Sequence, residues 1–209
     1  MFHASQNDDY FKVILDRVKN QYLTWCEQIL DLIEARCPVS KSLNDLGCNV
    51  GQFYKALLRR QLALAYRGYD IEALYLKTAA SLFPSADFRS IDLTAEKPER
   101  ADISVSSATI ELIADPYPAL EHLLATTAET AFIRTFLGET HLVDAYQKEG
   151  AERPYMIHQF SFSEVEEICD RHGFSIEVIH DRYTGSEPKD LGQNVIRSAY
   201  VVMARKRTQ

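Results

Sequence analysis

The feature that most constrains this chain is residues 42–53, Ser-Leu-Asn-Asp-Leu-Gly-Cys-Asn-Val-Gly-Gln-Phe. They read as a short buried strand, a tight turn carrying Gly47 and Gly51, and the first turn of a helix. Glycine enters left-handed backbone freely, and asparagine, here Asn49, tolerates it better than most residues. In α/β proteins such a junction is where a nucleotide-like ligand meets the sheet.

The pattern repeats downstream. Strands are expected at Leu43–Leu46, Leu62–Tyr69, Phe88–Ile91, Ile103–Ser106 and Thr130–Leu137, with helices at Val50–Gln61, Ile71–Phe83 and from Asp115-Pro116 to about Ala125. Alternation of this kind implies a parallel sheet with helices on both faces. After Gly138 comes a polar, irregular stretch from Glu139 to Gln159 containing Gly150 and Pro154, a segment type that usually shapes a binding site. Ser163 to Glu166 fits a capping box for a helix ending at Gly173. Two β-rich runs, Phe174–Asp181 and Ser198–Arg205, suggest a closing hairpin at the sheet edge with one antiparallel strand. The fold class is therefore α/β: a doubly wound, mostly parallel seven-stranded sheet with an antiparallel edge strand.

Ahead of the sheet, residues 8–36 carry an apolar stripe at helical spacing: Phe11, Ile14, Val18, Tyr22, Cys26, Ile29 and Ile33. Residues 1–38 are read as a helical extension, core-packing or lid-forming, on a single domain spanning 1–209. The net charge of −7 disfavours a nucleic-acid substrate. No run is long and apolar enough for a membrane span. The four cysteines lie apart, without metal-ligand spacing, as in a reduced, cytoplasmic chain with no metal site.

Four segments carry the chemistry. Asp45-Leu46-Gly47-Cys48-Asn49-Val50-Gly51 resembles the first motif of the class I S-adenosylmethionine-dependent methyltransferases, in which an acidic residue precedes a glycine turn. The helix that follows offers unpaired amides and a partial positive charge suited to a carboxylate. Asp70, nineteen residues after Gly51, stands where an acidic residue accepts from ribose hydroxyls. In that family the position of Asp92 meets the adenine amino group, with the preceding Ile91 packed on the ring. Ser106 to Pro116, with Ser107 at the strand end, resembles the fourth motif through Glu111 and Asp115-Pro116, although Leu112 stands where many relatives carry histidine. The resemblance runs from about Leu43 to Leu137. A nicotinamide dinucleotide is the rival, but its fingerprint needs a third glycine, and none recurs between Gly51 and Gly68.

The resemblance implies S-adenosylmethionine as cofactor and methyl transfer to oxygen or nitrogen of a small molecule. A non-catalytic cofactor-binding partner subunit and a protein methyltransferase are the alternatives. A base is needed only for a protonated acceptor; the candidates are His141, Glu139 and Glu111, then His158. Tyr10, Phe11, Tyr22, Tyr146 and Tyr155 flank the expected acceptor pocket, formed by the N-terminal helix and Glu139–Gln159. Oligomeric state is not encoded in any of these features.

Overall fold

The computed structural model describes residues 8–147 and 155–207, with side chains from residue 11 onward. Gly150, Pro154 and the Tyr10 ring lie outside the described residues. The chain opens with helices α1 (Asp8–Asn20) and α2 (Thr24–Arg36). It continues as β1 (Ser42–Leu46), α3 (Gln52–Arg60), β2 (Ala65–Asp70), α4 (Ala73–Leu82), β3 (Asp87–Ser90), β4 (Ala101–Ser107), α5 (Tyr117–Thr126) and β5 (Thr127–Gly138). Then follow β6 (Leu142–Tyr146), β7 (Tyr155–Ser161), α6 (Phe162–Arg171), β8 (Phe174–His180), the short pair β9 (Lys189–Asp190) and β10 (Ile196–Arg197), and β11 (Ala199–Lys206).

The main sheet runs β3-β2-β1-β4-β5-β11-β8. β1 to β5 are mutually parallel, whereas β11 is antiparallel to both β5 and β8. The seven-stranded, doubly wound architecture is as expected from the sequence, but the antiparallel strand sits one place in from the edge. β8 returns through α6 to run in the direction of β5 and leaves a gap, which β11 fills by pairing on both sides. This gives β11 the near-continuous apolar run of a central strand, with Val201 to Ala204 all buried.

Alternation of side chains assigns the two cores. On β5, Ala131 and Ile133 face one cluster with Leu120, Leu123, Val165 and Ile168, while Phe132 faces another with Ile29, Leu30, Phe53 and Leu57. Helices α5 and α6 thus cover one face, and α2 and α3 the other. The N-terminal stripe divides into two helices at 21–23, and its halves do different work. α2 belongs to the second core, whereas α1 lays Ile14 and Val18 on Val50 and Tyr75, over the start of α3.

Two local expectations are corrected. Residues 142–146 and 155–161 form a β-ribbon, β6 antiparallel to β7, rather than an irregular stretch; the end of β7 pairs in parallel with the end of β5, Phe160 with Leu137 and Ser161 with Gly138. The polar composition that suggested a loop belongs to a ribbon whose β6 side is largely exposed. The capping box of α6 is Ser161 with Glu164, two residues earlier than Ser163 with Glu166: Ser161 Oγ accepts from the Glu164 amide at 3.1 Å and Glu164 reaches back to the Ser161 amide at 3.2 Å. Both registers satisfy the motif; Ser161 ends β7, so its extended backbone already has the N-cap conformation.

α2 is fastened to the far end of the sheet by one buried side chain. Gln28, 5% exposed, donates to the His180 carbonyl at 2.7 Å and accepts from the Arg182 amide at 2.8 Å. Truncating it strands two part-buried backbone groups, which costs about 1–3 kcal/mol. Gln28→Ala is therefore expected to lower unfolding free energy by about that amount in urea titration, with Gln28→Glu intermediate because it keeps the acceptor.

Candidate active site

A cavity of about 680 Å³ opens at the carboxyl ends of β1, β2, β3, β4 and β5. It straddles β1 and β4, where the strand order reverses direction and α/β sheets take their ligands. Its size lies within the range of small-molecule sites.

The floor is the turn after β1. Gly47, Asn49 and Gly51 all have positive φ, at 82°, 53° and 85°. A Cβ on Gly47 would lie 2.0 Å from Thr109 Oγ1, and one on Gly51 would lie 2.9 Å from Phe83. The two glycines are thus required by neighbouring packing as well as by the left-handed backbone. The turn is held from β2: the Tyr69 carbonyl accepts from the Gly47 and Cys48 amides at 2.8 and 2.9 Å, and Asp70 Oδ2 accepts from the Asn49 amide at 2.8 Å. Asp70 Oδ1 accepts from the Glu72 amide at 2.9 Å. Glu72, not Asp70, is the N-cap of α4. Burial pushes the Asp70 carboxyl up, against the lowering effect of these amides.

All eight residues expected to bind cofactor are in or beside this turn-and-strand-end assembly, and seven line the cavity. Asp45, Gly47, Asn49, Asp70, Ile91, Asp92 and Ser107 are on its wall; Gly51 lies behind, at the start of α3. Asp92 Oδ1 accepts from the Thr94 amide and hydroxyl at 2.9 and 2.6 Å, and Ile91 is buried beside it. Asp45 is buried and accepts from the Tyr66 hydroxyl at 2.7 Å; burial raises its carboxyl to about 7, opposed by that bond. Ala108, next to Ser107, adopts φ 53°, a left-handed conformation uncommon for a residue with a Cβ.

The expected bases are placed elsewhere. Glu111 is 2% exposed, points to Thr135 Oγ1 at 3.2 Å, and is absent from the cavity wall. Glu139 is exposed at the end of β5, and His141 is bound to Glu164 at 2.9 Å beyond the loop that follows β4. None of the described part of Glu139–Gln159 lines the cavity. Its wall includes instead Arg17 of α1, Leu23, Trp25 of α2, Arg134 of β5 and Tyr183. Arg134 makes a bidentate ion pair with Asp181, both contacts 2.8 Å, and Asp181 is wholly buried. Tyr183, half exposed, sits over the Arg134 guanidinium at 5.7 Å. The sequence did carry one signal for this: Arg134 interrupts the apolar run Phe132 to Leu137, where a charge survives only if paired.

The described residues contain no His, Cys, Asp and Glu group able to hold a metal ion, all four cysteines are free and buried, and no described helix is long and apolar enough to cross a membrane.

No family model matches the chain, and no characterised protein matches it by sequence. Solved structures match throughout its length. CalS10 of Micromonospora echinaspora, an amino pentose methyltransferase with SAM bound, has 14% identity and a TM-score of 0.66 over 94% of this chain and 97% of its own. A TehB-like SAM-dependent methyltransferase of Corynebacterium glutamicum has 18% identity and a TM-score of 0.64 over 98% and 99%. This chain has the class I methyltransferase fold. A third structure with that fold is a Haloferax volcanii methyltransferase in complex with the activator Trm112, with 15% identity and a TM-score of 0.67 over 100% and 99%.

Within this methyltransferase fold Glu111 is a buried acid that titrates in the neutral range. Burial raises it from 4.5 to about 7, opposed by its own backbone, Arg134 and Thr135. A carboxyl raised in the folded state stabilises fully below its unfolded value and loses that contribution as pH rises through 7. At about 1.4 kcal/mol per unit the loss approaches about 3 kcal/mol. Glu111→Gln is expected to flatten the fall in melting temperature between about pH 5 and pH 8; an unchanged slope in calorimetry would assign the fall to other groups.

Proposed function

We propose that the chain is an S-adenosylmethionine-dependent methyltransferase acting on oxygen or nitrogen of a small molecule. The observation that carries this reading is convergence. The left-handed turn after β1, the carboxylate ending β2, the Ile91-Asp92 pair after β3 and Ser107 ending β4 all face one cavity. The cofactor's fit rests on this cradle, in which Thr109 and Phe83 press against the glycines and keep the turn fixed.

Each residue has a definite task. Asp70 takes the ribose hydroxyls; Asn49 and Glu72 amides already orient its carboxylate toward that end of the cavity. Asp92 takes the adenine amino group through Oδ2, because Oδ1 is engaged by Thr94. Ile91 packs on the ring. The open amides at the start of α3, with Arg17 across from them on the wall, suit a carboxylate. When bound, the cofactor supplies a methyl group already activated on a sulfonium. The protein's part is then alignment and exclusion of water, the first of which can be worth about 7–11 kcal/mol. α1, lying over the turn through Ile14 and Val18, covers the site, while Trp25, Arg134 and Tyr183 form the acceptor side. Trp25 and Tyr183 offer aromatic faces, and Arg134 offers the guanidinium edge left by Asp181.

The activator complex of the Haloferax volcanii relative favours a second reading, in which the chain works only with a partner protein. Calorimetric titration of the isolated chain with S-adenosylmethionine separates the two. Binding by the wild type with affinity reduced about 10- to 100-fold in Asp70→Ala is expected, from loss of charge-assisted hydrogen bonds worth about 1.5–3 kcal/mol. Absence of wild-type binding overturns the first reading.

A further inference from the structure

One arginine on the cavity wall is fixed on one edge and unpartnered on the other. Arg134 stands at the carboxyl end of β5, opposite Ser107 of β4 in the parallel register, and its carbonyl accepts from the Ala108 amide at 3.0 Å. Its side chain is 11% exposed, so it brings a largely desolvated charge to the cavity. Asp181 takes one edge of the guanidinium, with Nε and Nη2 each donating to a carboxylate oxygen at 2.8 Å. Asp181 is itself fixed: its Oδ2 also accepts from the Thr184 amide and hydroxyl at 3.1 and 2.8 Å, and its amide donates to Ser186 Oγ at 2.8 Å.

A guanidinium presents its N–H donors as a planar fork on each of two edges. The Asp181 edge uses Nε and one side of Nη2. The second fork, Nη1 with the other side of Nη2, has no partner among the described residues. The carboxylates on the cavity wall meet other donors: Asp45 the Tyr66 hydroxyl, Asp70 the Asn49 and Glu72 amides, Asp92 Thr94, and Asp115 the Tyr117 amide. Desolvated donors left unpaired are costly, and the group that fills such a fork best is a second planar carboxylate, which takes two parallel N–H bonds. Because the ion pair with Asp181 already holds the guanidinium in one orientation, little is lost in ordering it when a ligand arrives.

The surroundings are aromatic. The Tyr183 ring covers one face of the guanidinium at 5.7 Å. Trp25, also on the wall, is stacked on Phe53 with centroids 6.0 Å apart, and lies one helical turn before Gln28, which ties α2 to His180 and Arg182 beside Asp181. Arg17, on the same wall, has no ion-pair partner among the described residues, so its positive charge is not cancelled by the protein.

We propose that Arg134 anchors the carboxylate of a flat aromatic small molecule whose ring lies against Trp25 and Tyr183. Resting on the reading of the chain as a methyltransferase, this aromatic acid is the methyl acceptor and Arg134 is its specificity-determining residue. A cationic amine in place of the carboxylate meets a guanidinium with no acceptor to offer it and is rejected.

The test titrates the full chain with benzoate, benzamide and benzylamine, and follows the guanidinium nitrogen-15 signals of Arg134. Benzoate is expected to shift the Nη signals, benzamide to bind at least about tenfold more weakly, and benzylamine to leave them unmoved. The double variant Arg134→Gln with Asp181→Asn removes both charges together, so neither is left buried and unpaired. It is expected to lose benzoate affinity at least about tenfold. If the double variant does not fold, the wild-type series decides. Benzoate that leaves the Arg134 signals unmoved, benzamide binding as tightly as benzoate, or a folded double variant with unchanged affinity overturns the proposal. Repeating the titration with S-adenosylmethionine separates this proposal from the function it rests on. Benzoate is expected to bind alongside saturating cofactor. Displacement of benzoate assigns the fork to the cofactor's own carboxylate and overturns the acceptor site, leaving the methyltransferase reading standing. Failure of the cofactor to bind overturns that reading and with it the acceptor role, while the benzoate series still decides the anchor.

Discussion

The turn between β1 and α3 depends on the end of β2. Three of five consecutive residues, Gly47, Asn49 and Gly51, stand in the left-handed region, and such backbone persists only where its surroundings over-determine it. Here the Tyr69 carbonyl takes two amides and the Asp70 carboxylate takes a third. Parallel pairing of Leu46 with Tyr69 sets the register that brings these acceptors beneath the turn. Everything proposed for the cavity follows from this linkage. It presents the helix start, orients the Asp70 carboxylate, and positions Asp45 deep enough to be raised to about 7.

Charge is handled differently on the two sides of the sheet. On the α2 and α3 side, Arg134 at the end of β5 meets the buried Asp181, and a bidentate pair with added bonds from Thr184 offsets the desolvation of both. On the other side, one residue along, the Thr135 hydroxyl donates to the buried Glu111, whose carboxyl burial raises to about 7 against the lowering effect of its hydrogen bonds and of Arg134. Alternation along one strand thus produces a fixed charge pair on the cavity rim and a proton-sensitive acid behind the loop.

Much of the cavity floor was legible because it is local. Gly47, Asn49, Gly51, Asp70 and Asp92 belong to strand-to-helix junctions, and each such junction is written in a few adjacent residues with its own turn chemistry. The rest of the cavity wall was not legible. His141 and Glu139 follow β5 in sequence, as a pocket residue should, but the ribbon that begins there folds against α6 and carries His141 behind the loop. The rim comes instead from Trp25, Arg134 and Tyr183, widely separated in sequence and joined through the Gln28 clamp and the Asp181 ion pair.

The sequence by itself determined the α/β alternation, the apolar faces that bury α2, α3, α5 and α6, and the left-handed turn that opens the site. Those are properties of period and backbone conformation, set by neighbours within a few residues. Tertiary structure alone decided that β11 enters between β5 and β8, that the capping register of α6 begins at Ser161, and which side chains reach the cavity. Such outcomes depend on which of several locally adequate pairings leaves no strand gap, no buried charge and no helix end unpartnered, and that choice is made only when the whole sheet is assembled.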